Sequence, residues 1–507
     1  MAGGGIATSG GDAAFLKFAD PRRKWYNNRR LITSSTNGYD GSMMNGLQAL
    51  DQWKGYFNQP NSSMLGLLNA IQNIGSLAAY PFAPYLSDGL GRRATIFTGA
   101  SIMCVATAIQ TASQSVRMFI GARFLIGFGL TFAANAAPML VTEVSYPTYR
   151  APLTSTYNSL WYSGAIVAAW TTFGTFKIKS TWSWRIPSLL QALPSVLQIL
   201  LIFFVPESPR WLVSKGREQQ ALRTLAYYHA DGNEQDPLVQ YEFEEIKAAI
   251  DFDRTVAANI GWKSIFTKRG NLKRMRIIIA LAFFSQWSGN GLVSYYLGKV
   301  LDSIGITNPT IQLLINGILQ IWNLCWALLA SFLVDKIGRR VLFLTSAVGM
   351  LIFWTLQTAC LATFSNNGSG GAAHAFIAFI FLYYAAYDIA FSPLIVSYTV
   401  EILPFPIRAK GFTIFNFAIS LSLIFNQYAN PVALDHIHWK YYLVYVCWLV
   451  FELVFLYFYV VETKNRTLEE TAAMFDGDEA TEKIAGHAAR EQLDEKSSDY
   501  KEDAPSA

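Results

Sequence analysis

The chain has 507 residues, 52% of them hydrophobic and only 15% charged, with a formal net charge of +5. Soluble domains carry about a quarter charged residues, so an ordinary soluble surface is missing. The charge is uneven: residues 466–507 hold twelve acids and five bases, and the remaining +12 sits in short runs beside apolar stretches, which excludes nucleic-acid binding.

A membrane helix needs about 20 mostly apolar residues. In chain order, candidate spans fall near 31–50, 64–86, 94–114, 117–141, 153–174 and 186–205, then near 275–300, 310–334, 340–364, 374–402, 409–431 and 440–461. The predicted fold class is therefore an all-α polytopic membrane protein, with twelve spans grouped six and six. Span 1 is the least apolar, but polar residues inside a bundle are costly and usually functional, so it is retained. The domains read as a cytoplasmic segment 1–30, a six-helix bundle 31–205, a cytoplasmic linker 206–273 with short amphipathic helices, a second bundle 274–461 and an acidic, disordered tail 462–507. Residues 1–30 lack the apolar core of a secretory signal.

Lysine and arginine counts set the orientation. With the N-terminus inside, fourteen bases flank the inner ends and seven the outer ends, so both termini are predicted cytoplasmic. The sequons at Asn61 and Asn367 then fall outside, as candidate glycosylation sites. Cys104, Cys325, Cys360 and Cys447 lie in apolar stretches without metal-site or disulfide spacing. His436 and His438 lack a third ligand, GFG at 127–129 lacks the third glycine of a nucleotide fingerprint, and no P-loop is present. An enzyme is not expected, nor a cofactor or metal.

The halves repeat. DGLGRR (88–93) follows span 2 and DKIGRR (335–340) follows span 8. Glu143 precedes Arg150 by seven residues after span 4, as Glu401 precedes Arg408 after span 10. PESPR (206–210) closes span 6 and VETKNR (461–466) closes span 12. A repeated set of this kind reads as a cytoplasmic gate formed by Asp88, Arg92, Arg93, Glu143, Arg150, Glu207 and Arg210, with Asp335, Arg339, Arg340, Glu401, Arg408 and Glu462 as its counterpart. Pairing between halves would hold that side shut. Loop charges that merely fix topology are the plainer alternative.

These runs, with RFLIGFG (123–129), WSWRIP (182–187), PESPRWL (206–212), SQWSGNG (285–291) and VETKNRTLEE (461–470), resemble the sugar porter family of the major facilitator superfamily. TNGYDGSMMNGLQ (36–48) and PLTSTYNSLWY (152–162) are similar to its fungal lactose-permease and cellodextrin-transporter branch. Ala151 and Val461 depart from the usual glycine and proline.

Asp40 lies ten residues beyond Arg30, about 15 Å deep at the helical rise. An ionised carboxylate there is expensive unless paired or protonated. Arg123, six residues into span 4, reaches the same level. An acid whose proton affinity depends on a nearby arginine is what proton coupling needs, and the resemblance implies that role for Asp40 and Arg123. A fixed structural salt bridge in a facilitator is the alternative.

Sugar hydroxyls donate and accept, as amides do. Polar groups within cavity-facing spans are Asn158, Gln286, Asn290, Tyr295, Asn323 and Asp388. The resemblance implies sugar contacts at Asn158, Gln286, Tyr295 and Asn323, matches Asp388 to a family glutamate, with a second protonatable group as the equal alternative, and places Asn37 where an aromatic is common. Val396, Ser420, Ala165, Ser285 and Gly291 stand where larger side chains are usual, which predicts a cavity wide enough for a disaccharide. Trp161, Trp287 and Trp322 are candidate stacking faces. The expectation is a proton-coupled disaccharide importer such as one for lactose or cellobiose, with hexoses as further substrates, monomeric, in the plasma membrane with lipid as its other partner. A membrane sugar sensor is the alternative.

Overall fold

The computed structural model describes residues 35–144, 150–255, 262–403, 405–463 and 474–475, and all regular structure among them is helical. The first half holds α1 (Ser35–Gln48), α2 (Asp51–Tyr56), α3 (Ser62–Ala79), α4 (Ala83–Leu90), α5 (Arg92–Thr111), α6 (Val116–Val144), α7 (Arg150–Thr175), α8 (Trp182–Leu190) and α9 (Ala192–Leu201). Four short helices follow in the linker: α10 (Pro209–Ser214), α11 (Glu218–His229), α12 (Pro237–Thr255) and α13 (Trp262–Thr267). The second half holds α14 (Arg269–Trp287), α15 (Asn290–Asp302), α16 (Pro309–Ile337), α17 (Arg339–Asn367), α18 (Gly370–Ala390), α19 (Leu394–Ile402), α20 (Phe405–Ile437) and α21 (Tyr441–Tyr459).

Six membrane passages per half result: α1, α3–α4, α5, α6, α7 and α8–α9 in the first, and α14–α15, α16, α17, α18–α19, α20 and α21 in the second, while α2 is a short helix between passages. Eight segments among the described residues are long and apolar enough to cross a bilayer by composition alone, and the last, Lys410–Tyr459, contains two helices. Helix α1 is not among them, because its described part is 14 residues long and rich in polar side chains. Its polar side chains face inward: Asp40 is fully buried and Asn45 is 5% exposed. The lipid-facing surface is apolar instead, with Leu193, Leu200 and Phe203 exposed on the first half and Val444, Phe451 and Phe458 on the second.

Glycine permits the close helix contacts. A Cβ on Gly127 of the GFG run would strike the backbone of Gln72. Gly289, at φ +102°, breaks the seventh passage, and the Trp354 ring fills the place of its missing Cβ. The halves meet where α3 packs on α20, α7 on α16 and α1 on α15. The linker helices pack around Trp211, Leu225 and Phe243. They dock on the first half through Trp211 Nε1, which donates to Asp88 O at 3.0 Å. This end of the bundle is the linker end, and the other is the far end.

Candidate functional site

At the linker end the repeat becomes a repeated structure. Gly91 and Gly338 have φ of +102° and +105°, each just before a long helix. Carboxylates occupy the space that a Cβ would need: Glu207 beside Gly91 and Glu462 beside Gly338. Glu207 accepts from the backbone N–H of Arg92 at 3.0 Å, and Glu462 from that of Arg339 at 2.9 Å. An anion at a helix N-terminus satisfies orphan donors and complements the dipole. Arg92 also pairs with Glu143 at 3.2 Å and with Asp88 at 3.1 Å, and Arg339 pairs with Glu401 at 3.1 Å. Arg93 donates to Phe203 O, in the turn just after α9, and Arg340 to Tyr457 O near the end of α21. Each of these pairs lies inside one half. Arg210 lies on α10. The side chains of Arg150, Asp335 and Arg408 lie outside the described residues.

Among the described residues, most of the polar bonds that join the halves sit toward the far end. Asn45 Nδ2 donates to Asn316 Oδ1 at 3.2 Å, and Asn45 Oδ1 accepts from Leu297 N–H at 3.1 Å. That N–H is available because the backbone at Tyr296 leaves helical geometry. Gln48 donates to Tyr295 O, Asn69 to the Tyr296 hydroxyl, and Asn73 to Gln427 at 2.7 Å. At the rim, Lys299 bonds Asp435 at 2.9 Å and also Ser62. Among the described residues the far end is thus bridged mainly by amides, with Lys299, Asp435 and Ser62 at the rim. Asn61 caps α3 by accepting from Met64 N–H, and Asn367 ends α17; both are exposed at the far end.

Asp40 and Arg123 are both buried, yet no ion pair joins them within 4 Å. Asp40 Oδ1 accepts from Gln191 Nε2 at 2.5 Å, and Gln191 Oε1 accepts from Gln110 at 3.0 Å. Arg123 donates to Leu68 O and to Gln72 Oε1, both at 2.7 Å. Asp40 Oδ2 and Arg123 Nη1 have no partner. The glutamines that hold the two groups apart come from α3 and from the α8–α9 junction. Polar side chains in apolar helices were a visible signal for both, but their partners were not.

Asp388 links the halves near the middle: Tyr162 of α7 donates to its Oδ1 at 2.6 Å and Ser392 at 2.5 Å, while Oδ2 is unpartnered. Asn290 donates to Ser285 O at 3.0 Å and keeps Oδ1 free, and the buried Asn323 keeps Oδ1 free. Gln286 donates to Ser285 Oγ at 3.2 Å, and Tyr295 is half-buried one residue before the kink. Asn37 and Asn158 lie on α1 and α7, with side chains outside the described residues. Of the aromatic candidates, Trp287 donates to Ser422 O and Trp322 to Phe381 O, which fixes their ring orientations. Nor does Gly291 widen the space, because the Asn426 amide occupies the place of its missing Cβ. Sequence reasoning also passed over Glu452, fully buried in α21, which accepts from Ser288 Oγ at 2.7 Å and leaves Oε1 unpartnered. A lone acid inside YYLVYVCWLVFELVFLYFY is signal enough to have found it.

Two six-helix halves, closed against each other at one end around buried carboxyl groups and unused amides, define a multi-pass transporter rather than an enzyme. The model for the sugar (and other) transporter family matches residues 30–475, and the chain belongs to that family. It is 28% identical to a high-affinity glucose transporter of Kluyveromyces lactis, over 86% of this chain and 82% of that one. It is 30% identical to the MFS-type transporter oryC of Aspergillus oryzae, over 80% and 76% of the two chains. Its fold superposes on the xylose transporter XylE from E. coli in an inward-open conformation with a TM-score of 0.72, at 24% identity over 88% and 98% of the chains. The protein is therefore a sugar transporter of the major facilitator superfamily.

Proposed function

We propose that the protein imports a disaccharide together with a proton, by alternating access across the plasma membrane. The linker end faces the cytoplasm in this reading, as the distribution of lysine and arginine favours, and the far end faces outward with Asn61 and Asn367. The observation that carries the coupling is the buried, unjoined pair of Asp40 and Arg123, each with one unpartnered atom. A carboxylate held without a counter-ion in a membrane protein is costly, and a bound proton removes that cost. Opening of the far end shifts α1 relative to α6, so the acid exchanges a proton for its arginine. One structural relative is described as a proton:xylose symporter, which agrees with this reading.

Sugar binds between the halves, at Gln286, Asn290, Asn323 and Asp388. Asn37, Asn158 and Tyr295 complete the proposed set. The disaccharide assignment rests on the small side chains Val396, Ser420, Ala165 and Ser285. Uptake of labelled lactose, cellobiose and glucose by yeast lacking its own sugar carriers, with and without a protonophore, tests the proposal. Disaccharide accumulation that a protonophore abolishes is expected. Uptake that only equilibrates would make the protein a facilitator, and no uptake despite surface expression would favour a sensor.

A further inference from the structure

The far-end half of α16 carries more polar chemistry than helix packing requires. Asn316, Gln320 and Asn323 follow at i, i+4 and i+7 and so lie on one face. All three are more than nine-tenths buried. Each retains an unused atom: Nδ2 of Asn316, Oε1 of Gln320 and Oδ1 of Asn323. Buried amides left unsatisfied are costly, and in membrane helices they mark function more often than packing. Packing against the first half is done by other positions on the helix. Leu313 joins the apolar cluster around Trp53 and Phe119, and Gly317 abuts Trp170.

We infer that Asn316 and Gln320 form a second sugar subsite, which takes the distal ring of a disaccharide whose first ring lies at Asn323. Seven residues of helix rise cover about 10 Å, the length of two linked sugar rings. Amides donate and accept, as ring hydroxyls do. Asn45 covers this stretch in the closed far end through its bonds to Asn316 Oδ1 and Leu297 N–H. Both bonds cross between the halves. Opening the far end therefore uncovers Asn45, Asn316 and a backbone donor together, where sugar would arrive from that side.

The inference rests on the disaccharide reading, and the experiment separates the two. In carrier-free yeast, the KM of labelled lactose and cellobiose is measured with the Ki of glucose as a competitor. Asn316→Leu and Gln320→Leu are expected to raise the disaccharide KM about 5- to 20-fold, the loss of one or two hydrogen bonds, and well beyond any change in the glucose Ki. Asn323→Leu raises both, and Asn316→Gln, which keeps the amide, restores most of the affinity. Surface amounts are read from a fluorescent fusion, and Asn316→Ser and Gln320→Ser replace any leucine variant that fails to reach the membrane. KM and Ki that rise together, or neither rising, would overturn the subsite and leave these residues as gate components. A wild type that takes up glucose but no disaccharide would overturn the subsite and the disaccharide reading together, with sugar transport intact.

Discussion

Asn45 spans the closed far end with two hydrogen bonds, one to Asn316 and one to the Leu297 N–H that the Tyr296 kink releases. Leucine at this position keeps the bulk and removes both bonds. The Leu297 N–H and the Asn316 carbonyl are then poorly satisfied in a buried site, but only while the far end is closed. At about 0.5–1.5 kcal/mol net for each bond, the closed state loses about 1–3 kcal/mol, a shift of about 5- to 150-fold toward the far-end-open state. A reporter cysteine reads that shift. Leu313 is 1% exposed at the interface between the halves, and the four native cysteines can be replaced by serine. Asn45→Leu in the Leu313→Cys background is expected to react with a membrane-impermeant maleimide at least about fivefold faster than the parent. A rate within twofold of the parent, at equal surface amounts, would refute the assignment of these amides to the gate.

Arg92→Ala strands Glu143, whose side chain is 14% exposed, and should cost about 3 kcal/mol, read as a Tm lowered by several degrees in detergent. Arg339→Ala in the other half should match it, whereas Lys299→Ala at the more open rim should cost less than about 1 kcal/mol and leave Tm nearly unchanged. Glu452→Gln keeps an acceptor for Ser288 and should preserve both Tm and uptake, while Glu452→Ala leaves a void, with Ser288 still bonded to Phe284 O, and should lower Tm by the equivalent of about 2–4 kcal/mol. A Glu452→Gln variant that folds but loses protonophore-sensitive uptake would instead place this acid in the coupling path.

The repeat was legible because its chemistry is local. Glycine before two arginines, with an acid that closes each half, marks the same local structure twice, and Gly91 and Gly338 adopt nearly equal φ, although the carboxylate cap on each helix start was not foreseen. Twelve passages were legible from apolar length, even across the polar α1. What spacing could not supply was which faces meet across about 250 residues of chain. Asn45 and Asn316 are ordinary amides until α1 is laid against α15 and α16. For the same reason Gly291 reads in sequence as space, although Asn426, 135 residues later, fills it. Asp40 and Arg123 were located by depth alone, but their attachment to Gln191 and to Gln72 depends on the tilt and rotation of four helices.

The central claim is that the charge of Asp40 couples sugar movement to the proton gradient. It is tested most directly by Asp40→Asn in vesicles, with net accumulation and sugar exchange measured on the same preparation. The variant keeps the bond to Gln191 in shape but cannot release a proton. Exchange of labelled for unlabelled sugar that persists while gradient-driven accumulation disappears is the predicted result. Accumulation at the wild-type level would contradict the account and leave Asp40 as a structural group.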